Sequence, residues 1–167
     1  FFPDLGKCRC TPTQIRRYLN RVSGPFLDRI DIGVEVPRQD LGMMAAEKSI
    51  DEGSFPQTEQ RDSSAVMRAR VMEARARQEK RFADESISYN SQMTRRQIEE
   101  YCRLSGEDAV FLEKVERQQG ISARGHGKIL KVARTLADLD GQAEIGRAQL
   151  AEAIGFRSFE KKYWGSL

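Results

Sequence analysis

Apolar residues recur at helical spacing through most of the chain after residue 62. The widest stripe lies between residues 122 and 139 and contains Ile129, Leu130, Val132, Ala133, Leu136 and Ala137. A stripe of this width is typical of a helix that packs one face on a core. Weaker patterns predict further helices over residues 63–83, from Thr94 through Cys102, from Ser105 to near Gly120, and from Arg147 to about Ile154. The sequence therefore predicts a helical bundle joined by short turns.

Capping residues mark where these helices begin and end. Thr11-Pro12-Thr13-Gln14 and Thr94-Arg95-Arg96-Gln97 each place Thr three residues before Gln. In a capping box of this kind, the two side chains bond each other's backbone N–H groups at the helix start. Gly141 is the expected C-cap residue of the helix that ends near Leu139, because glycine accepts the left-handed conformation found there.

Residues 30–36 alternate apolar and polar side chains and stop at Pro37. A period of two predicts a strand. Because one strand cannot make a sheet, we expect its partners outside this chain. Residues 37–62 are rich in Gly, Pro, Gln and acidic residues, and we interpret them as a linker. The predicted fold is mainly α, a helical bundle preceded by one strand and one or two short helices.

Composition excludes several classes of protein. The 167 residues carry 28 basic and 25 acidic side chains, a net charge of +3, which is too small to indicate nucleic-acid binding by itself. The sequence has no apolar run of membrane-spanning length and no secretory signal pattern at its start, so no membrane partner is expected. Its three cysteines form no disulfide framework, and a cytoplasmic location is the expectation.

Two arginines occupy positions that suit phosphate chemistry. Arg29 closes the run Ser23-Gly24-Pro25-Phe26-Leu27-Asp28-Arg29, and Arg124 follows Ile121-Ser122-Ala123 at a predicted helix start. A guanidinium is the group that neutralises charge on a γ-phosphate. No Gly-rich phosphate loop followed by Lys-Ser or Lys-Thr occurs in the sequence. Arginines without a nucleotide cradle, in a chain that begins Phe1-Phe2-Pro3, indicate part of a longer protein, although either arginine alone is more often a solvated surface residue.

The chain resembles the magnesium-chelatase-like AAA+ ATPases of the competence protein ComM type. The matching stretches are Cys8–Pro12, Arg21–Asp31, Val34–Pro37, Ser63–Val71, Ile121–Arg124 and Lys128–Leu139. The resemblance implies that residues 1–36 end an α/β core with a Cys-containing loop and an arginine-finger segment. It also implies that residues 37–62 are a linker, that 63–160 form the helical lid of an AAA+ module, and that 161–167 are a tail.

The same resemblance implies roles for individual residues. Arg29 is expected to act in trans as the arginine finger, with Asp28 orienting it or the subunit contact. Arg124 is expected at the sensor 2 position, facing the γ-phosphate of ATP in its own or a neighbouring subunit. The full-length protein is expected to use ATP and Mg²⁺ in a ring of identical subunits. The resemblance implies that this ring is a hexamer. This chain alone is expected to be inactive, since it lacks the phosphate cradle.

DNA is the partner implied for such a ring, through branch migration in transformation or recombination. The basic run Arg75, Arg77, Lys80 and Arg81 is the weak candidate for DNA contact, against a solvated helix face or a subunit interface. Two other functions stay open. One is a motor subunit that drives metal insertion into a tetrapyrrole, and the other is a non-enzymatic helical module that binds DNA or serves as an adaptor.

Cys8 and Cys10 resemble half of a four-cysteine zinc site, whose other half would precede residue 1. Zinc is therefore a possible cofactor of the full-length protein, and we expect no tightly bound cofactor on this chain. Cys102 is expected in the core. The Gly125-His126-Gly127 segment departs from the family pattern. Its two glycines are expected to loosen the turn around Arg124, and His126 is expected to be a surface or packing residue.

Overall fold

The computed structural model describes residues 9–36, 63–157 and 164. Regular structure in these residues is entirely helical. The elements are α1 (Pro12–Leu19), α2 (Gly24–Leu27), α3 (Ser64–Arg81), a 3₁₀-helix (Asn90–Gln92), α4 (Arg95–Tyr101), α5 (Gly106–Gln119), α6 (Ala123–Leu139) and α7 (Arg147–Gly155). The predicted mainly helical fold is confirmed, and it is consistent with a helical lid domain.

Helix α6 lies at the centre of the bundle and packs against α3, α4, α7 and the 3₁₀-helix. Its core-facing side carries Ile129, Ala133 and Ala137, which are fully buried. The surrounding core contains Phe82, Met93, Cys102, Leu112, Leu130, Ile145, Leu150, Ala153 and Ile154. The small alanine side chains allow neighbouring helices to approach α6 closely. The apolar stripe predicted from the sequence is therefore the side of α6 around which the bundle forms.

The predicted helix boundaries are confirmed by their capping contacts. The side chains of Thr11, Ser63, Thr94, Ser105 and Ser122 each accept a backbone N–H from the first turn of the helix that follows. Both predicted capping boxes, at Thr11 and at Thr94, are present. Gly141 has a φ of 71° and lies one residue after the C-cap of α6, in the left-handed conformation that glycine accepts without a steric penalty.

The predicted strand over residues 30–36 is not formed in the described part of the chain. This segment has no regular secondary structure, and the described residues contain no strand elsewhere. A β-ladder needs a second extended segment alongside the first. Residues 30–36 instead reach the end of α7, where the amide of Gly33 donates to the carbonyl oxygen of Phe156 at 2.9 Å. Val36 is 82% exposed, so the alternating pattern does not correspond to a buried face here.

The short helices α1 and α2 are held to the rest of the chain by few contacts. Leu19 and Leu27 are their buried residues, and the indole Nε1 of Trp164 donates to the carbonyl oxygen of Leu19 at 3.0 Å. The predicted linker, residues 37–62, lies outside the described residues, so the domain boundaries stay predictions. Among the described helices, none has the length and apolar character needed to cross a membrane.

Candidate functional site at the start of α6

The segment that follows α2 contacts the bundle at the start of helix α6. Ser122 is the N-cap residue, and its Oγ accepts the amide of Gly125 at 3.1 Å. The same hydroxyl donates to Oδ1 of Asp28 at 3.1 Å. One turn further along α6, Nζ of Lys128 lies 2.6 Å from Oδ1 of Asp31. We call this meeting point the α6 junction, which comprises residues 28–33, 122–128 and 156–157.

Arg157 is the most buried charged residue of the α6 junction. It follows α7, and its side chain is 4% exposed. Its Nη1 donates to the carbonyl oxygen of Ile30 at 2.9 Å, and its Nη2 lies 3.7 Å from Oδ1 of Asp28. Sequence reasoning missed this residue. A lone arginine at the end of a helix carries no local signal, because its partners lie more than a hundred residues away in the chain.

Gly125 makes room for the packing of the junction. A Cβ atom at this position would lie 2.7 Å from Cγ2 of Ile121 and 3.8 Å from Nε of Arg157. The first distance is too short for a real Cβ, so an alanine here would force Ile121 to shift. At Gly127 a Cβ would meet only Cδ1 of Ile98 at 3.5 Å, an ordinary contact. The structure thus explains one of the two glycines, and the predicted looseness of this turn stays a prediction.

Arg29 and Arg124, the two arginines singled out from the sequence, both lie at the surface of this junction. Nη1 of Arg29 donates to the carbonyl oxygen of Pro25 at 2.8 Å. Arg124 is the second residue of α6, where the helix dipole contributes positive partial charge. Within the part of the chain that the structure describes, neither guanidinium pairs with a carboxylate. Both side chains therefore face solvent among the described residues.

Asp28 and Arg29 have separate partners although they are neighbours in sequence. The Asp28 carboxylate faces Ser122 and Arg157, whereas Arg29 faces the carbonyl oxygen of Pro25. Asp28 therefore fastens the segment to α6, and it acts on Arg29 only through the backbone in this arrangement. An orienting role for Asp28 in a subunit contact stays a prediction.

His126 lies beside the junction and contacts another helix. Its Nδ1 is 2.7 Å from Oε1 of Glu116 on α5, and its side chain is about half exposed. This position agrees with the expectation of a packing residue near the surface. With Nδ1 directed to Glu116, the ring joins α5 to the first turn of α6.

The helical bundle matches a known protein family. Residues 61–157, more than half of the chain, match the family described as magnesium chelatase, subunit ChlI C-terminal. Residues 3–44 match the family described as magnesium chelatase, subunit ChlI. The chain belongs to the magnesium chelatase family. Within that family, the matched C-terminal region contains the whole bundle from α3 to α7.

Similar curated proteins extend the match over nearly the whole chain. Competence protein ComM of Haemophilus influenzae is 41% identical over 151 residues, which are 90% of this chain and 27% of that protein. The uncharacterized protein YifB of Escherichia coli is 40% identical over 92% of this chain and 28% of its own length. An uncharacterized protein of Mycobacterium tuberculosis is 29% identical over similar shares. The chain thus spans about a quarter of the length of these magnesium-chelatase-like relatives.

The four basic residues predicted to contact DNA are divided between surface and interior. Arg77 donates to the carbonyl oxygen of Asp138 at 3.0 Å. Arg81 binds both carboxylate oxygens of Asp138 and donates to Oδ1 of Asn90 at 3.0 Å. Arg75 and Lys80 are exposed. Only these two therefore present their charge to solvent without a described hydrogen bond or ion pair to another residue.

Asp138 is the centre of a buried polar cluster at the other end of α6. Its carboxylate is fully buried, and it accepts from Nδ2 of Asn90 at 2.8 Å and lies 3.1 Å from Nη2 of Arg134. Burial raises the pKa of Asp138, but hydrogen bonds from Arg81 and Asn90 outweigh it and hold the pKa below its usual range. We call Arg81, Asn90, Arg134 and Asp138 the α6 polar cluster.

The cysteines lie in different environments. Cys8 lies outside the described residues, and Cys10 is exposed. Among the described residues, no group of three or more His, Cys, Asp or Glu side chains is arranged to hold a metal ion, so a zinc half-site at Cys8 and Cys10 stays a prediction. Cys102 is buried, as expected for a core residue, and burial raises the pKa of its thiol to about 11.

Proposed function

We propose that this chain supplies Arg29 and Arg124 to ATP hydrolysis in a hexameric ring of the full-length protein, and that the ring works on DNA. Arg29 acts in trans as the arginine finger, and Arg124 contacts the γ-phosphate as sensor 2. The observation that carries the proposal is the hydrogen bond between Ser122 and Asp28. It joins the segment that bears Arg29 to the N-terminus of the helix that bears Arg124.

The electrostatics of the α6 junction support this assignment. Phosphoryl transfer is accelerated by fixed cations at the oxygens where charge develops. An arginine already neutralised by a carboxylate would contribute little to such a site. Asp28 and Asp31 are engaged by Ser122 and Lys128, whereas Arg29 and Arg124 keep their charge exposed. Bound ATP would supply the reactive phosphoryl group and Mg²⁺ would neutralise part of its charge, both held by residues outside this chain.

A role on DNA is supported by two independent points. One relative is named a competence protein. Arg75 and Lys80 of α3 also present positive charge to solvent, and the Arg75 guanidinium lies 5.5 Å from the centre of the exposed Tyr89 ring. Such a surface would bind the phosphate backbone without regard to sequence.

The arginine roles are tested by ATP hydrolysis of the full-length protein. Arg29→Ala is expected to lower kcat on the order of 10³-fold, as for arginine fingers elsewhere, while ring assembly measured by light scattering is retained. Arg29→Lys keeps the charge but not the planar fork, so it should recover only part of the rate. Arg95→Ala is the control, because Arg95 is an exposed arginine on α4 paired with Glu99.

Action in trans is tested by mixing two inactive subunits. Arg29→Ala subunits are combined with subunits whose phosphate-binding loop is inactivated but whose Arg29 is intact. Mixed rings should recover ATP hydrolysis, since each defective neighbour supplies what the other lacks. No recovery in rings shown to be mixed, or an Arg29→Ala protein with full activity, would overturn the proposal.

DNA contact is tested by binding at several salt concentrations. Replacing Arg75 and Lys80 by Gln should weaken binding and reduce the slope of log K against log salt by about 1.8, since each lost phosphate contact to duplex DNA removes about 0.9. The matched control replaces Arg95 and Arg117, exposed arginines with acidic partners on their own helices. An unchanged slope in the α3 variant would remove α3 from the DNA-binding surface.

A further inference from the structure

We propose that Arg157 is a positioning residue that fixes the Arg29 segment against the N-terminus of α6. The proposal rests on the function proposed above, which gives Arg29 and Arg124 their chemical roles. It adds a third arginine, which contacts neither ATP nor DNA and which determines the positions of Arg29 and Arg124. The argument follows from the burial of Arg157, the atoms it contacts and the space through which it passes.

The burial of Arg157 indicates that specific contacts compensate for the desolvation of its guanidinium group. Arginine is almost never fully buried unless its charge is paired or hydrogen-bonded, and this side chain is 4% exposed. Two of the contacts it makes in return are directed across the chain, to Ile30 and Asp28. Its Nη1 donates to the carbonyl oxygen of Ile30 at 2.9 Å, a polar group that has no helix or sheet to satisfy it.

The Asp28 carboxylate is the point where three parts of the chain meet. Oδ1 accepts from the hydroxyl of Ser122 at the start of α6, and the same oxygen lies 3.7 Å from Nη2 of Arg157 at the end of α7. In a partly buried site, the positive charge of Arg157 stabilises the Asp28 carboxylate and strengthens the hydrogen bond that this carboxylate accepts from Ser122. Arg29 is the next residue after Asp28, so its backbone is fixed by the same contacts.

Arg157 lies against the first turn of α6. The Cβ position of Gly125 is 3.8 Å from Nε of Arg157, so the guanidinium group comes within van der Waals distance of the residue that follows Arg124. The main-chain bond from Gly33 to Phe156 is a second link between residues 28–33 and the end of α7. Movement of α6 and α7 would therefore carry the Arg29 segment with it, and the two exposed arginines would shift as one unit.

The consequence is that Arg157 should affect turnover without contacting nucleotide. Misplacement of a catalytic group by about 1 Å costs on the order of 10²-fold in rate. In the full-length protein, Arg157→Met retains a long apolar side chain and removes the bonds to Ile30 and Asp28. We expect kcat to fall between 10- and 100-fold, roughly the cost of such a misplacement, with KM for ATP changed less than about threefold because Arg157 does not bind substrate. Arg157→Lys should recover part of kcat, since an ammonium can still donate to one acceptor.

A double-mutant cycle with Asp28→Asn separates positioning from a loss of folding. If Arg157 acts through Asp28, the second substitution should lower kcat little further in a protein that already carries the first. Arg134→Met is the control for a buried arginine outside the junction, because Arg134 binds the α6–α7 loop. It should lower stability but leave kcat per folded subunit unchanged.

Amide hydrogen exchange gives a readout that does not depend on ATP hydrolysis. Arg157→Met should speed exchange at Gly33 and in residues 28–31, and leave α3 and α5 protected. Unchanged exchange there, or unchanged kcat in a folded Arg157→Met ring, would overturn the positioning role. If Arg29→Ala leaves turnover intact while Arg157→Met loosens residues 28–33, the proposed function fails and the structural link stands.

Discussion

Arginine and aspartate side chains lie at both ends of α6, but arginines are paired with a buried carboxylate at one end, whereas arginines are exposed to solvent at the other. At its C-terminal end, Asp138 is fully buried and engages Arg81 and Arg134. At its N-terminal end, Arg124 is exposed and Asp28 engages Ser122, so that the charges of Arg29 and Arg124 are not cancelled by a described carboxylate. The first arrangement joins α3 to α6, and the second leaves cations facing solvent where an anion can approach.

The comparison shows that the partners of an arginine determine its role, and that its position in a run of basic residues does not. Arg75 and Arg81 belong to the same helix and the same run of basic residues. Arg75 is exposed, whereas both oxygens of Asp138 bind Arg81. A substitution in the α6 polar cluster should therefore change stability, and a substitution in the α6 junction should change turnover. Three measurements of stability test this division, in addition to the kinetic tests above.

The largest expected effect is the loss of Asp138. Asp138→Ala leaves Arg134 buried and Arg81 partly buried without their carboxylate, and removing one member of a buried pair costs about 3–5 kcal/mol. The measurement is urea denaturation of the chain. Glu113→Ala is the matched control, because Glu113 forms an exposed pair with Arg117 on α5, worth at most about 0.5 kcal/mol. Equal losses in the two variants would contradict the assignment of the cluster as structural.

A second effect concerns the thiol of Cys102 close to this cluster. Because burial raises its pKa to about 11, the folded state holds the thiol proton more tightly than the unfolded state does. This contribution is complete below the pKa of the unfolded thiol, about 8.5, and is lost as the pH rises from there to about 11.

We therefore expect the stability to fall by on the order of 2 kcal/mol across that alkaline range, and Cys102→Ala to remove most of the fall. Urea denaturation between pH 8 and pH 11 measures both. An equal alkaline fall in the Cys102→Ala variant would show that groups other than the Cys102 thiol cause it.

The smallest expected effect separates the two glycines at the N-terminal end. Gly125→Ala forces a Cβ to within 2.7 Å of Ile121 and should cost about 1–2 kcal/mol through overpacking. Gly127→Ala meets only an ordinary contact with Ile98 and should stabilise the helix by up to about 1 kcal/mol, since alanine is the better helix former. Thermal unfolding of both variants measures the difference. Two substitutions with the same effect would exclude the steric role of Gly125.

Local signals in the sequence predicted most of the helical boundaries. The caps at Thr94 and Ser122 act over three residues, so their partners are visible in the sequence itself. The stripe of α6 follows from its 3.6-residue period. The strand predicted over residues 30–36 from an equally local pattern is not formed in the described residues. A strand depends on a partner that the pattern does not contain, and the amide of Gly33 bonds the carbonyl oxygen of Phe156 at the end of α7 instead.

The candidate site was predictable only in part. Arg29 and Arg124 were identified by resemblance, whereas Arg157 and the role of Gly125 depend on contacts between distant residues. Asp138 was not singled out from the sequence, because its partner Arg81 lies 57 residues away in the chain.

What the sequence determined by itself was the set of helices, their caps and the family to which the chain belongs, because these depend on near neighbours and on matched stretches. The tertiary structure alone decided which charges are cancelled. Coulomb interaction and desolvation depend on distance in space and on burial, and neither is a property of the position of a residue in the chain. For that reason the partly buried Arg81 is paired with the buried Asp138, while Arg29 and Arg124 face the solvent at the start of α6.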